Sequence, residues 1–232
     1  MLVFGRNVAR DLLKNNSPIK KVILQDNFNE KDIIDLIKKR NIKVENKSKR
    51  EIDHLIDGVH QGIILSIPEY QYSNIESSYD DDIVVILDHI EDPHNFGAII
   101  RTCEAAGIKS IIIPKNRQVQ INSTVMKTSV GTLDNMNVIS VSNLSYAIEK
   151  LKANGFWIYG TALDDSVDYR TVDYSGKIAI VVGNEGTGIS KSILKSCDFL
   201  IKIPMYGKTN SLNASVAAGI AIYEVIRNRK RS

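Results

Sequence analysis

The chain has 232 residues, 43% of them hydrophobic, and a formal net charge of +3. That length holds one large domain, or a small one plus a medium one, with ample apolar content for ordinary cores. No apolar run approaches the roughly 18 residues a membrane helix needs, and MLVFGRNVARD meets charge too soon for a secretory leader, so a soluble cytoplasmic protein with no membrane contact is expected.

Residues 1–69 alternate helix-like and strand-like segments, NVARDLLKN, KVILQD, EKDIIDLIKKR, IKVEN, REIDHLID and GIILSI, which is the pattern of a small α/β domain. Within it, KKRNIKVENKSKR at 38–50 holds seven basic residues against one acidic, and the chain ends on RNRKR. Such runs are either solvated faces or grips for phosphates. Apolar periodicity then lapses in PEYQYSNIESSYDDD, so 70–82 reads as a linker and 83–232 as a second domain.

The second domain opens on the strand DIVVILDHI, followed by a helix in DPHNFGAIIRTCEAAG. Asp92 or Asn95 offers a cap beside Pro93, and Phe96, Ile100, Cys103 and Gly107 form an apolar stripe. Arg101 lies beside that stripe, flanked one turn away by Gly97 and Ala105, so its stem is uncrowded. It either snorkels to water or pairs with a carboxylate, or it serves a ligand. KSIIIPK, a short polar helix INSTVMKTS, NVISV and NLSYAIEKLKANG come next, the last with an inward stripe of Leu144, Ala147, Ile148 and Leu151. FWIYGTAL, KIAIVVG, ISKSILKSC, FLIKIPM and a final helix from about Leu212 to Arg229 complete the alternation.

Continuous apolar strands such as VVIL, IIIP and IAIVV fit a parallel sheet covered on both faces. Ligands of such sheets sit beyond the carboxyl ends of strands, which directs attention to the loops after Leu87, Val182 and Ile203. The glycine-rich turn NEGTGIS does not match a dinucleotide fingerprint, because Gly183, Gly186 and Gly188 make GxxGxG. GKT at 207–209 is no phosphate loop either, since Lys202 stands where the earlier glycine is required. Glu185 in that turn is either a turn cap or a reader of ligand donors. Ser211 and Asn213, at the start of the last helix, are either caps or ligand groups. Cys103 and Cys197 are far apart with no CxxC pair, and His54, His60, His89 and His94 lack ligand spacing, so reduced buried thiols and no metal are expected.

Taken together, NFGAIIRTCEAAG, VVGNEGTGIS and IPMYGKTNSLNASVAAGIAIYE closely resemble, in that order, the three motifs of the SpoU (TrmH-type) RNA 2'-O-ribose methyltransferases of the SPOUT superfamily. VFGRNVARDLL and VHQGI at 59–63 resemble the small substrate-binding domain often found ahead of the catalytic one. The resemblance implies a C-terminal trefoil-knotted parallel-sheet domain preceded by a small α/β domain of the L30e-like type. It implies S-adenosylmethionine as methyl donor, with Gly183, Ile203, Leu212, Thr161 and Met205 as its contacts, mostly through backbone groups. A homodimer acting on structured RNA and not on DNA is implied as well. The N-terminal domain directs the expected target toward a guanosine of 23S ribosomal RNA; a transfer-RNA guanosine, or a non-catalytic RNA-binding protein, are the alternatives. Thr209 and Asn210 precede SLN where the family more usually has an apolar and an acidic or small residue, which leaves the RNA contacts of that loop open.

Methyl transfer to a 2'-hydroxyl is an in-line displacement that needs alignment and a stabilised alkoxide. Arg101 matches the family's catalytic arginine and is assigned that role as a cation, because deprotonating a guanidinium at pH 7 is costly. Asn95 is expected to orient Arg101 or the ribose, Glu185 to hold a polar group of the RNA or of Arg101, and Ser211 with Asn213 to fix the third loop.

Overall fold

A computed structural model describes residues 1–56, 58–129 and 131–229. The elements are, in chain order, β1 (Leu2–Phe4), α1 (Arg6–Lys14), β2 (Lys21–Gln25), α2 (Lys31–Lys39), β3 (Val44–Lys47), α3 (Lys49–Leu55) and β4 (Ile63–Ser66). They continue with β5 (Ile83–Asp88), α4 (Pro93–Ala105), β6 (Ser110–Pro114), α5 (Ser123–Ser129), β7 (Asn137–Val141), α6 (Leu144–Ala153) and β8 (Phe156–Thr161). β9 (Val167–Asp168), β10 (Lys177–Gly183), α7 (Lys191–Leu194), β11 (Phe199–Lys202) and α8 (Ala214–Arg229) complete the chain. Two compact units result: Met1–Gln71 with Ile121–Asp134, and Tyr72–Gln120 with Asn135–Ser232.

The first unit is a four-stranded sheet in the order β1-β4-β2-β3, with β4 antiparallel to both neighbours and β3 parallel to β2. α1 turns Val8, Ala9, Leu12 and Leu13 inward at helical spacing, where they meet Val3, Ile33, Ile63 and Leu65. α3 starts on a capping box in which Ser48 and Glu51 satisfy each other's backbone N–H groups. Within the basic run, Arg40 donates to the carbonyls of Leu12, Leu13 and Ser17, tying off the end of α1. Lys47 pairs with Glu45. α5 groups with this unit although the sequence places it in the second half: Met126 packs against the cluster of Val8, Leu12 and Leu13. β1, only three residues long, shows no period in the sequence.

The second unit holds seven parallel strands in the order β7-β6-β5-β10-β8-β11-β9. β5 and β6 are buried throughout and β10 almost so, because helices cover both faces. The chain runs outward from β5 through β6 to β7, then crosses over so that β10 inserts between β5 and β8. The strand order therefore reverses at β5 and β10, whose carboxyl ends, Asp88 and Gly183, lie side by side. α6 buries Leu144, Ala147, Ile148 and Leu151 as its spacing predicts.

In α4, Asp92 is the cap: its carboxylate accepts from the His94 N–H at 2.9 Å, with Pro93 at the first helical position. The apolar stripe takes Ile99 and not Gly107. Gly107 lies beyond the helix at φ +78°, donating to Glu104 while Ile108 donates to Cys103, which is a Schellman ending. α7 is a single turn, shorter than ISKSILKSC suggests, because Asp198 exchanges two hydrogen bonds with the Ile158 backbone and turns the chain into β11. Among the described residues no helix is long and apolar enough to cross a membrane, and no group of three His, Cys, Asp or Glu side chains could hold a metal.

Candidate active site

A cavity of about 440 Å³ opens beyond the carboxyl ends of β8, β10 and β11. Thr161, Gly183, Ile203, Met205 and Leu212, the five positions assigned to the cofactor by resemblance, all line it, and Ser211 joins them at the rim. Ile189, Leu194 and Ile201 add apolar wall. A small apolar chamber edged by backbone groups suits a flat heterocycle with a polar rim.

The loop after β10 is shaped by backbone contacts. Asn184 and Gly188 exchange two backbone hydrogen bonds at 3.1 and 2.9 Å, folding 184–188 into a tight turn. A Cβ on Gly183 would fall within 2.5 Å of the Gly188 carbonyl oxygen and still nearer the Gly188–Ile189 peptide, so only glycine lets the turn close. The Asn184 side chain holds the turn from inside and out. Its oxygen accepts from the Gly186 and Thr187 N–H groups, and its amide donates to the His89 carbonyl at 2.8 Å. Asp88, buried at the end of β5, accepts from the Ser190 N–H at 2.6 Å and bonds the His89 ring at 2.6 Å. His89 sits at φ +64°, a strained conformation held by its ring's bond to Asp88 and by the Asn184 amide on its carbonyl. Asp88 and Asn184 thus lock the first two loops together. Neither was singled out from sequence, although an acid closing an otherwise apolar run, DIVVILD, is the signal that marks Asp88.

The polar residues of the three motifs meet at Asn95. Asn95, 7% exposed, donates to Glu185 at 2.6 Å and accepts from the Asn213 amide at 2.9 Å. Only a side chain that both donates and accepts can bridge these two partners, which fixes the orientation of the amide. The Asn213 oxygen accepts from the Ser215 N–H at 2.9 Å and its hydroxyl at 2.6 Å, so Asn213 caps α8 as well as joining the relay. The Thr209 hydroxyl donates to the Ser211 carbonyl, shaping the third loop.

Arg101 stands apart from this relay. Six residues beyond Asn95 on α4, it is displaced by about 9 Å along the helix and roughly 240° around it. It is exposed, does not line the cavity, and makes no hydrogen bond or ion pair among the described residues. Of the partners expected for Asn95 and Glu185, Arg101 or the RNA, Arg101 is not reached within this chain, where Glu185 and Asn213 take up the Asn95 amide. The thiols are inert by environment: burial raises the pKa of Cys103 well above the ordinary thiol range and pushes that of Cys197 up to about 12.

A parallel sheet whose order reverses beside a cavity of this size, with three loops converging on it, defines an α/β enzyme that binds a small cofactor at its switch point. Residues 82–223 match the model of the SpoU rRNA methylase family, and residues 2–73 match that of the RNA 2'-O ribose methyltransferase substrate-binding domain. A TrmH family tRNA/rRNA methyltransferase of Staphylococcus aureus (strain COL) is 40% identical over 238 residues, covering 98% of this chain and 96% of the relative. The structure of an AdoMet-bound rRNA methyltransferase from Sinorhizobium meliloti aligns with TM-score 0.78 and 26% identity, covering 97% of this chain and 86% of the other. The SpoU methyltransferase AviRb from Streptomyces viridochromogenes shares the fold, with TM-score 0.80 at 22% identity over 100% of this chain and 91% of the other. The chain belongs to the SpoU rRNA methylase family, and is an S-adenosylmethionine-dependent RNA 2'-O-methyltransferase.

Proposed function

We propose that the chain methylates the ribose 2'-hydroxyl of a guanosine in 23S ribosomal RNA, working as a cytoplasmic homodimer whose C-terminal segment forms the trefoil knot of its family. The observation that carries the placement of the site is the Asn213–Asn95–Glu185 relay, which ties all three motif loops to the rim of one cavity. S-adenosylmethionine supplies a methyl group on a sulfonium, open to in-line displacement. Thr161, Gly183, Ile203, Met205 and Leu212 would hold it, the apolar wall would exclude water, and the narrow loop would position the donor through backbone groups. At the rim Glu185 would hold a polar group of the RNA, and Ser211 with Asn213 would fix the third loop.

Arg101 remains cationic, binds the phosphate beside the target nucleotide and stabilises the developing alkoxide, while the proton leaves to water or a phosphate oxygen. Arg101 lies outside the cavity of its own chain, so a second copy is part of the proposal. Val216 and Tyr223, two turns apart on one face of α8, are exposed and apolar, as a face covered by that copy would be. RNA flanking the target is gripped by the 38–50 run, where Lys38, Lys39, Lys43, Lys49 and Arg50 are exposed while Arg40 and Lys47 serve the fold.

Mapping ribose methylation in total RNA from cells with and without the protein tests the target. Loss of one 2'-O-methylguanosine in 23S RNA is expected, loss in transfer RNA would replace the target, and an unchanged map refutes the reading. Arg101→Lys keeps charge but loses the planar fork. It should lower turnover on the order of a hundredfold while leaving cofactor affinity within about twofold, and full activity would remove the catalytic assignment.

A further inference from the structure

One end of the four-stranded sheet carries a second cavity, of about 310 Å³, that the methyl-transfer machinery does not use. Its walls are the start of α1, the loop after β2, the first half of α3 and the turn before β4, all within the first unit.

The turn is built tightly. His60, 8% exposed, accepts the Gly62 N–H on Nδ1 at 2.9 Å, so its ring proton is on Nε2, which donates to Asp53 at 2.8 Å. Gln61 and Gly62 then sit in the left-handed region, at φ +54° and +80°. A non-glycine residue held there is a strained element that its surroundings must maintain. The strain positions Gln61 to fix Arg6. Its side-chain oxygen accepts the Arg6 N–H at 2.8 Å, and its carbonyl accepts from the Arg6 Nε at 3.3 Å. Glu30 pairs with the same guanidinium at 2.9 Å, which lies over the Phe28 ring, 5.8 Å from its centre. Arg6 is therefore anchored on three sides and remains 41% exposed. Around it, the amides of Gln25 and Asn27 and the NH₂ of Gln61 have no side-chain partner among the described residues.

We infer that this cavity receives one unstacked nucleobase of the RNA. A base splayed out of a structured RNA is held by stacking on an aromatic ring or a guanidinium plane and by hydrogen bonds along its edge. An immobilised guanidinium backed by Phe28 supplies the plane. The amides of Gln25 and Asn27 and the NH₂ of Gln61 supply donors and acceptors for the edge. Lys49 at the mouth supplies charge for the adjoining phosphate. A site for phosphate alone would need the cations without the ring or the amides.

The inference rests on reading the chain as an enzyme of RNA, so the test measures the two separately. The full-length ¹⁵N-labelled protein is titrated with hexaribonucleotides of A, C and U and with UUGUUU, with inorganic polyphosphate of matched charge as control. S-adenosylmethionine affinity is measured on the same samples. At least one hexamer should shift the amide resonances of Phe28, Gln61 and Gly62 saturably where polyphosphate does not. Asn27→Ala, with an unchanged melting temperature, should weaken that hexamer about tenfold, the loss of one good hydrogen-bonded edge contact. Arg6→Ala should weaken it further, and cofactor affinity should hold in both variants. No shift with any hexamer, equal shifts with polyphosphate, or full affinity in Asn27→Ala would each overturn the inference while leaving the methyl-transfer reading intact. Base binding without cofactor binding would do the reverse.

Discussion

Of the three glycines at the end of β10 and in the loop after it, two are required, for different physical reasons, and alanine substitution separates all three. At Gly183 an added Cβ meets the Gly188–Ile189 backbone, which no rotamer change can move. Relief requires breaking the paired Asn184–Gly188 hydrogen bonds and the Asn184 contacts that depend on them. Losing the two backbone bonds and at least one Asn184 contact, at roughly 1 kcal/mol each, amounts to about 3 kcal/mol of lost loop organisation. At Gly188 nothing lies within 4 Å of a Cβ, but φ is +68°, so alanine there is strained by about 1 kcal/mol. At Gly186 the nearest atom is the Asn184 side-chain oxygen at 3.5 Å and φ is not left-handed, so alanine fits.

If the loop forms the cofactor wall, these energies should appear in S-adenosylmethionine affinity measured by calorimetry. Gly183→Ala should weaken binding at least a hundredfold, Gly188→Ala about fivefold, and Gly186→Ala less than about twofold, at 1.4 kcal/mol per decade. Melting temperatures measured alongside distinguish a reshaped loop from a lost fold. A Gly183→Ala protein that binds the cofactor within about threefold of the natural chain would show that the turn plays no part in holding it, and a ranking led by Gly186 would refute the steric account.

Neither thiol should react rapidly with a chromogenic disulfide at pH 8 in the folded protein, since burial raises both pKa values, and both should react once denaturant is added; a fast thiol before unfolding contradicts the burial assigned to Cys103 and Cys197. Hydrogen bonds from Lys21 and Lys47 hold the Glu45 carboxyl down to about 2, from an ordinary value of 4.5. A depressed carboxylate stabilises the fold above its unfolded value and loses that contribution as pH falls through its folded one, so urea midpoints should decline between about pH 4.5 and 2. Glu45→Gln should flatten that limb, and an unchanged pH profile would deny the pairing. Replacing Lys38, Lys39 and Lys43 by alanine should weaken RNA binding at all sequences and reduce the slope of log affinity against log salt by roughly one per lysine. These substitutions test the run more cleanly than removal of residues 1–69, which would strip α5 of the core it packs on.

Legibility in the sequence followed the range of the forces involved. Apolar runs of β5, β6 and β10 and the stripe of α6 announced themselves because burial on both faces, or on one helical face, is written in consecutive residues. The three site loops were legible because strand ends in such a sheet place them together. Partners 90 or more positions apart were not. Asn95 shows only a polar residue near a helix start until Glu185 and Asn213 are brought beside it. The role of Arg40 was hidden in a basic run, since a carbonyl cluster at the end of another helix has no letter of its own. INSTVMKTS offers few apolar residues, and its pattern cannot say which of two cores Met126 will join.

The position of Arg101 follows from the same first turn of α4 that makes the relay. Asn95 is locked from both sides, and the helix continues unbroken through Phe96, Ile99, Ile100 and Cys103, all fully buried. A helix held along one whole face cannot rotate by a third of a turn to bring Arg101 into its own cavity without exposing those four side chains, a change worth several kcal/mol at roughly 25 cal/mol per Å². Arg101, flanked by Gly97 and Ala105, is therefore kept out of the cavity of its own chain. A cation held outside its own cavity can act on a methyl donor only if another cavity is presented to it, which is why the proposed catalytic role of Arg101 requires the proposed homodimer.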